Sequence, residues 1–243
     1  MTRRELCALL EENMGTLPEE WDNDGLLVGE KDAPVSSVLL TLDVTQGAIA
    51  YAKAHGFDLI LSHHPLIFRP LKRVTEGGIG GRVADLIRGN IGVISYHTRF
   101  DRAHEGVNDV LAARLGLEDP HPAGDYAVVG TVPETTAAAL AARVKAALGA
   151  PFVRYADGGR PIRTVAVVGG SGGDFLADVS ADALVTGEAG YHTLTDAVGS
   201  GVSVLEAGHF HTEFPALSLL ADRLSDLGVP KCEIFFSDLL GVC

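Results

Sequence analysis

The sequence predicts an α/β protein with largely parallel strand pairing, built as two domains. Apolar runs of four to eight residues alternate along the chain with helical patterns, the signature of strands joined by helices. Several of these runs are rich in Val, Ile and Leu with no polar alternation, as strands buried on both faces are. The segment Glu118–Tyr126, EDPHPAGDY, carries two prolines, a glycine and several charges, which is linker chemistry. It divides the chain into domains at 1–122 and 123–243, and 243 residues suit one large domain or two small ones, since domains usually run roughly 100–150 residues.

In chain order, MTRRELCALLEENMG has charges on both sides of a short apolar patch. It reads as an amphipathic helix over Thr2–Asn13 rather than a signal peptide. Strands are predicted at Val38–Asp43, Leu59–Ser62, Ile91–Ser95, Val165–Val168, Ala183–Thr186 and Val202–Glu206. Helices are predicted at Gln46–Ala54, Gly81–Arg88, Val107–Leu115, Thr136–Leu148 and Phe214–Leu227. After the linker, YAVVGTVPETTAAALAARVKAALGA opens the second domain as a strand, a turn and an Ala-rich helix.

Hydrophobic residues make up 47% of the chain, enough for an ordinary core, yet no apolar run reaches the ~18–20 residues that span a bilayer. No membrane association is expected, and the cytoplasm is the expected compartment. Cys7, Cys232 and Cys243 are odd in number and form no CxxC pair, which predicts reduced thiols and no thiolate metal site. The net charge is −13, from 19 Lys and Arg against 32 Asp and Glu. Such a surface repels phosphate backbones, so general nucleic-acid binding is not expected, while a local basic pocket for one nucleotide is compatible with it.

Three clusters carry chemistry. Ser62-His63-His64-Pro65 follows the apolar run FDLIL, and ligands of open α/β sheets gather beyond the carboxyl ends of strands. The same histidines also suit a loop that caps backbone carbonyls. His97 and Asp101 follow the strand IGVIS, where Asp101 taken alone reads better as a cap of the next helix. His209 and Glu213 follow VSVLEA and stand four apart, sharing one face of a helical turn, although Glu213 near a helix start also suits the helix dipole. Jointly, three strands deliver His with Asp or Glu at the same end. Imidazole with carboxylate suits Zn, Mn, Fe or Ni rather than Ca or Mg. The ligands exceed one tetrahedral site, which points to two divalent metal ions bound through His63, His64, Asp101, His209 and Glu213.

Other segments carry less. Val168–Asp174 is Gly-rich but lacks the Walker lysine and GxGxxG spacing, so a tight turn is preferred to a phosphate cradle. Glu188 and His192, four apart, form the rival ligand pair, read as supporting the ligands or touching substrate. Asp43 either faces the cleft or caps the following helix. No GxSxG supports a serine nucleophile.

Trp21-Asp22-Asn23-Asp24-Gly25-Leu26, Ser62-His63-His64-Pro65-Leu66, His97-Thr98-Arg99-Phe100-Asp101, Gly106-Val107-Asn108-Asp109, Thr186-Gly187-Glu188, and Gly208-His209 with Glu213 together resemble the Nif-three-like family, the GTP cyclohydrolase type 2 homologues. The resemblance implies two related α/β domains with a dinuclear metal site at their interface. It implies His64 and Asp101 on one metal, His63 and His209 on the other, Glu213 bridging and His97 beside the pair. It also implies a toroidal homohexamer, and 243 residues leave no room for the middle domain of some members. HTRFD replaces the family's HTNLD, and the tail SDLLGVC lacks the family's Asn/Asp-Pro ending.

The expected function is a metal-dependent hydrolase, GTP cyclohydrolase-like or a phosphoesterase, acting on a nucleotide or related small molecule. Glu213 would hold the metals, and His97 or His192 would carry the proton. The alternative is a non-catalytic metal-binding regulatory or assembly protein. Arg69, Lys72, Arg73, Arg99 and Arg102 are the candidate phosphate contacts, or else solvated surface charges.

Overall fold

The fold is described from a computed structural model covering residues 1–178 and 180–241, with only the backbone of Ala177 and Asp178. Cys7 and Cys232 are free thiols, and Cys243 lies outside the described residues. The chain forms two compact units, the first from Met1–Ala103 with Leu217–Leu239, the second from His104–Ala216 with the chain from Leu240 on.

In the first unit, Thr2 opens α1 (Arg3–Met14) with a reciprocal capping box to Glu5. There follow β1 (Gly25–Val28), β2 (Ser37–Thr41), α2 (Gln46–His55), β3 (Leu59–Ser62), α3 (Gly78–Arg88), β4 (Gly92–Ser95) and the short α4 (Thr98–Arg102). Every residue of β2, β3 and β4 is buried, which is why these strands show no polar alternation in sequence. Their side chains pack with α2 and α3 in a core that includes Leu39, Ile49, Ile60, Leu86 and Val93. The register aligns Thr41 with Ser62 and Ser62 with Ser95. The next residues of all three strands therefore emerge side by side at one carboxyl edge.

The second unit contains α5 (Val107–Leu115), β5 (Glu118–Ala123), β6 (Ala127–Thr135), α6 (Ala137–Leu148), β7 (Arg154–Ala156) and β8 (Ile162–Val168). A 3-10 turn (Gly172–Asp178) leads to β9 (Ala183–Thr186), α7 (Tyr191–Gly199), β10 (Ser203–Glu206), α8 (His209–Glu213) and a second 3-10 turn (Phe214–Ala216). The chain then returns to the first unit as α9 (Leu217–Asp226) and β11 (Lys231–Ile234).

The first sheet runs β1-β4-β3-β2-β11, with β1 its one antiparallel member. The second runs β5-β6-β8-β9-β10-β7. Only β8, β9 and β10 are parallel there, so the expectation of largely parallel pairing holds for the first sheet and fails for the mixed second one. Asp182 fixes the start of β9 against β8, accepting from Arg163 N at 2.9 Å, Thr164 N at 2.8 Å and Thr164 Oγ1 at 2.9 Å.

The expected division at 1–122 and 123–243 differs from these units. Glu118–Ala123 is no linker but the edge strand β5, hairpinned to β6, and an edge is where a sheet tolerates Pro120 and Pro122. The units part instead between Ala103 and His104, and the second is not continuous to the chain's end. The single helix expected over Phe214–Leu227 is interrupted at its start, because Pro215 has no N–H to donate. Among the described residues no helix is long and apolar enough to cross a membrane.

Candidate metal centre

The aligned ends of β2, β3 and β4 deliver Asp43, His63, His64 and His97 in the first unit. Ser62 Oγ and Ser95 Oγ, 2.7 Å apart, tie β3 to β4 beneath them. Each imidazole meets an oxygen at Nδ1. His63 Nδ1 lies 3.0 Å from Tyr96 O, His64 Nδ1 3.0 Å from Asp43 Oδ1, and His97 Nδ1 3.1 Å from Asp22 Oδ1. An oxygen acceptor requires that nitrogen to carry the proton, which leaves the Nε2 lone pair as the donor toward a metal. One ligand atom from each of His63, His64 and His97 lies within 4.8 Å of the others, so these three could hold a metal ion. Asp101 joins them from α4, its Oδ1 3.5 Å from His63 Nε2.

Burial, the largest influence on Asp22, pushes its carboxyl up. The hydrogen bonds from His97 and Thr98 together outweigh it and hold Asp22 well below the usual carboxylate range. Thr98 supplies both its N at 3.0 Å and its Oγ1 at 2.7 Å to Asp22 Oδ2. The Thr of HTRFD thus orients the Asp that orients His97.

In the second unit, α8 presents His209 and Glu213 one turn apart, with Nε2 and Oε1 separated by 3.1 Å. His209 follows the same rule as the other histidines, its Nδ1 lying 3.0 Å from Glu188 Oε1. That oxygen also accepts from Ser171 Oγ at 2.7 Å, and the Ser171 bond, then the His209 bond, lowers the Glu188 carboxyl. The backbone beneath α8 is glycine for steric reasons. A Cβ on Gly170, where φ is +61°, would lie 2.1 Å from Glu213 Oε1 and 3.0 Å from His209 Nε2. A Cβ on Gly187 would lie 2.7 Å from His209 Cα. The Gly-rich loop spends its N–H groups on side chains, Gly169 N on Asn108 Oδ1 at 2.7 Å, Gly170 N on Thr212 Oγ1 at 3.0 Å and Gly172 N on Thr186 Oγ1 at 2.9 Å. It is a close-packed turn under the ligands. In each unit taken by itself, the imidazole and carboxylate donors, His63, His64, His97 and Asp101 in the first and His209 and Glu213 in the second, are of the kind that suits a divalent transition metal.

Several residues fall elsewhere than expected. Asp43 is no cap, since Thr45 caps α2, and it holds His64 instead. Asp101 lies inside α4 and caps nothing there, the N-cap position being His97. Glu188 precedes α7 and engages His209, whereas His192 stands exposed in the first turn of α7, so the two do not share a helical turn. Arg99 is not open to a phosphate: it is buried, with Nε 2.7 Å from Asp24 Oδ2 and Nη1 donating to Thr16 O. Arg102 pairs with Glu19 at 3.3 Å, while Arg69, Lys72 and Arg73 are exposed. Sequence reasoning gave Asp22, Asn108 and Gly170 no role of their own, meeting them only inside longer motifs. Their only local signals are a DNDG turn, a GVND helix start and a glycine pair, each common without a ligand.

Comparison with known proteins extends these motifs to the whole chain. The profile of the Duf34/NIF3 (NGG1p interacting factor 3) family matches residues 1–239. The chain is 36% identical over 224 residues to a GTP cyclohydrolase 1 type 2 homolog of Clostridium perfringens, covering 86% of each protein. It is 32% identical over 210 residues to GTP cyclohydrolase 1 type 2 of Helicobacter pylori, covering 86% of this chain and 85% of that one. A hypothetical protein of Staphylococcus aureus shares the fold with a TM-score of 0.91 at 26% identity, over 100% of this chain and 99% of its own. A Thermus thermophilus protein does so with a TM-score of 0.86 at 28% identity, over 99% and 100%. The ordered motifs, the two sheets and the match over residues 1–239 have one explanation: the chain belongs to the Duf34/NIF3 family.

Proposed function

We propose that the chain binds two divalent ions through His63, His64, Asp101, His209 and Glu213, with ligands from both units, and works as a metal-dependent hydrolase of a nucleotide or related small molecule. The observation that carries this reading is convergence: His63, His64 and His97 bring ligand atoms within 4.8 Å of one another, and His209 Nε2 lies 3.1 Å from Glu213 Oε1. An Nδ1–oxygen contact alone marks no ligand, since His55 and His121 make one too, but in converging rings it fixes orientation and tautomer with Nε2 left free to donate. The names of the relatives, GTP cyclohydrolase 1 type 2 and its homologs, support the same class of reaction.

His64 and Asp101 would hold one ion and His63 and His209 the other, with the Glu213 carboxylate spanning both. Such a pair, when bound, supplies an activated water near neutral pH and neutralises negative charge developing on the substrate. His97 is the proton carrier in this scheme. Its Nε2 takes or gives the proton while Asp22 retains Nδ1–H and stabilises the imidazolium. Asp43 and Glu188 hold His64 and His209 in register.

The test pairs metal analysis with turnover of a nucleotide and phosphoester panel. Wild type is expected to carry two ions per chain and to lose activity with a chelator, regaining it with Mn²⁺ or Zn²⁺. Glu213→Gln is expected to keep the fold and lose at least one ion. Two retained ions would remove the bridging role. Loaded protein that turns over no member of the panel would favour a non-catalytic metal-binding protein, and full activity without metal would overturn the proposal.

A further inference from the structure

Two large aromatic side chains stand in solvent beside the histidine cluster of the first unit. Trp21 is 59% exposed and Phe68 43% exposed. Their rings meet edge to face at 5.9 Å, and each also meets the His97 ring, at 6.3 Å and 6.2 Å. Neither belongs to the apolar core of its unit. Both are nevertheless held in place. Asp22, next to Trp21, is fixed by His97 and Thr98, and Asn23 Nδ2 donates to Ile67 O, joining the turn that carries Trp21 to the loop that carries Phe68. Exposed aromatics anchored on a rigid loop at the rim of a site are binding surfaces, since each offers a flat π-face at little conformational cost.

The loop continues from Phe68 as Arg69-Pro70-Leu71-Lys72-Arg73, three cations in five residues of a protein with net charge −13. All three are exposed. Glu20, next to Trp21 in sequence, is exposed as well. Positive charge therefore continues the loop that carries Phe68, and a negative charge adjoins Trp21 in sequence.

We infer that Trp21 and Phe68 form the subsite for a flat heteroaromatic ring, with Arg69, Lys72 and Arg73 taking the phosphates attached to it. This deepens the nucleotide reading proposed above: the ring rests against the aromatic pair beside His97, and the cations that follow Phe68 set the direction of its phosphates. Stacking tolerates any base, so purines of both kinds bind, and discrimination falls on the presence of the ring.

Trp21 is the single tryptophan of the chain, so its fluorescence reports on the subsite directly. The full chain, freed of metal with a chelator, is titrated with GTP, ATP, guanosine and ribose 5-phosphate. GTP and ATP are expected to quench the emission saturably, guanosine more weakly, and ribose 5-phosphate not at all. By calorimetry, Phe68→Ala and Trp21→Leu are each expected to weaken GTP binding by about tenfold. The double variant Arg69→Ala with Arg73→Ala is expected to weaken GTP but not guanosine. Emission unmoved by millimolar GTP, or wild-type affinity in both aromatic variants, would overturn the assignment. Metal content measured on the same variants separates the two proposals. Nucleotide binding without metal loading sinks the metal centre alone, and metal loading with unchanged affinity in the aromatic variants sinks the subsite alone.

Discussion

Each candidate ligand histidine is only as well placed as the oxygen behind it. Asp43 is half-exposed and holds His64 through one hydrogen bond, so Asp43→Ala should leave the fold intact. Metal affinity should fall by about 10–100-fold, as for other outer partners of metal-bound histidine, read by competition with a chromophoric chelator. His97→Ala should lower kcat by about 10²–10⁴-fold with the metals retained. Arg99 belongs to stability instead. Burial, the largest influence, raises the carboxyl of Asp24, and Arg99 answers it from 2.7 Å. Arg99→Ala strands that buried acid, so urea unfolding should show a loss of about 3–5 kcal/mol, with metal content unchanged in the protein that remains folded. At this scale the sequence marks donors better than supports. A histidine after an apolar strand is visible as a pattern, but Asp22 and Asp43 reach their rings across separations that no local spacing encodes.

Strands are the elements most legible in the sequence, and for a physical reason. Leu59–Ser62 and Ala183–Thr186 are fully buried, so unbroken apolar character marks them end to end. Edge and short elements are not. β5 is almost wholly exposed and reads as a linker, and β7 has three residues. Two elements carry testable constraints. Gly170→Ala would force its Cβ onto Glu213, so the variant should fold yet lose metal, checked by mass-spectrometric metal analysis beside circular dichroism. The junction of β8 and β9 depends on ionised Asp182. Burial, the largest influence, raises its carboxyl, but hydrogen bonds from Arg163 and Thr164 outweigh it and lower the net value below the ordinary 3.8. A depressed carboxylate contributes stability that is fully present above 3.8 and is lost as the pH falls through the folded value. Asp182→Asn should therefore be less stable than wild type at neutral pH, with the difference shrinking below about pH 4 in thermal melts across pH.

For the whole molecule, the excess of acidic residues predicts no salt-dependent association with duplex DNA near physiological ionic strength, and a steep salt slope in a binding titration would contradict it. Metal that binds only the folded chain should raise the midpoint of thermal unfolding as its concentration rises, and a chelator should reverse the shift. The number of units was legible and their membership was not. Composition reveals two cores but gives no sign that α9 and β11 belong with residues far earlier in the chain.

That late return governs how the protein is made. β11 completes the first sheet by pairing with β2, whose residues are all buried. A ribosome releases His104–Ala216, the bulk of the second unit, before it releases β11. During synthesis the apolar edge of β2 therefore waits uncovered while the continuous His104–Ala216 segment can already collapse on its own core. A nascent chain stalled after Ala216 should resist protease over the second unit and remain sensitive, and prone to clumping, over the first. The unit that is translated first is the one that matures last.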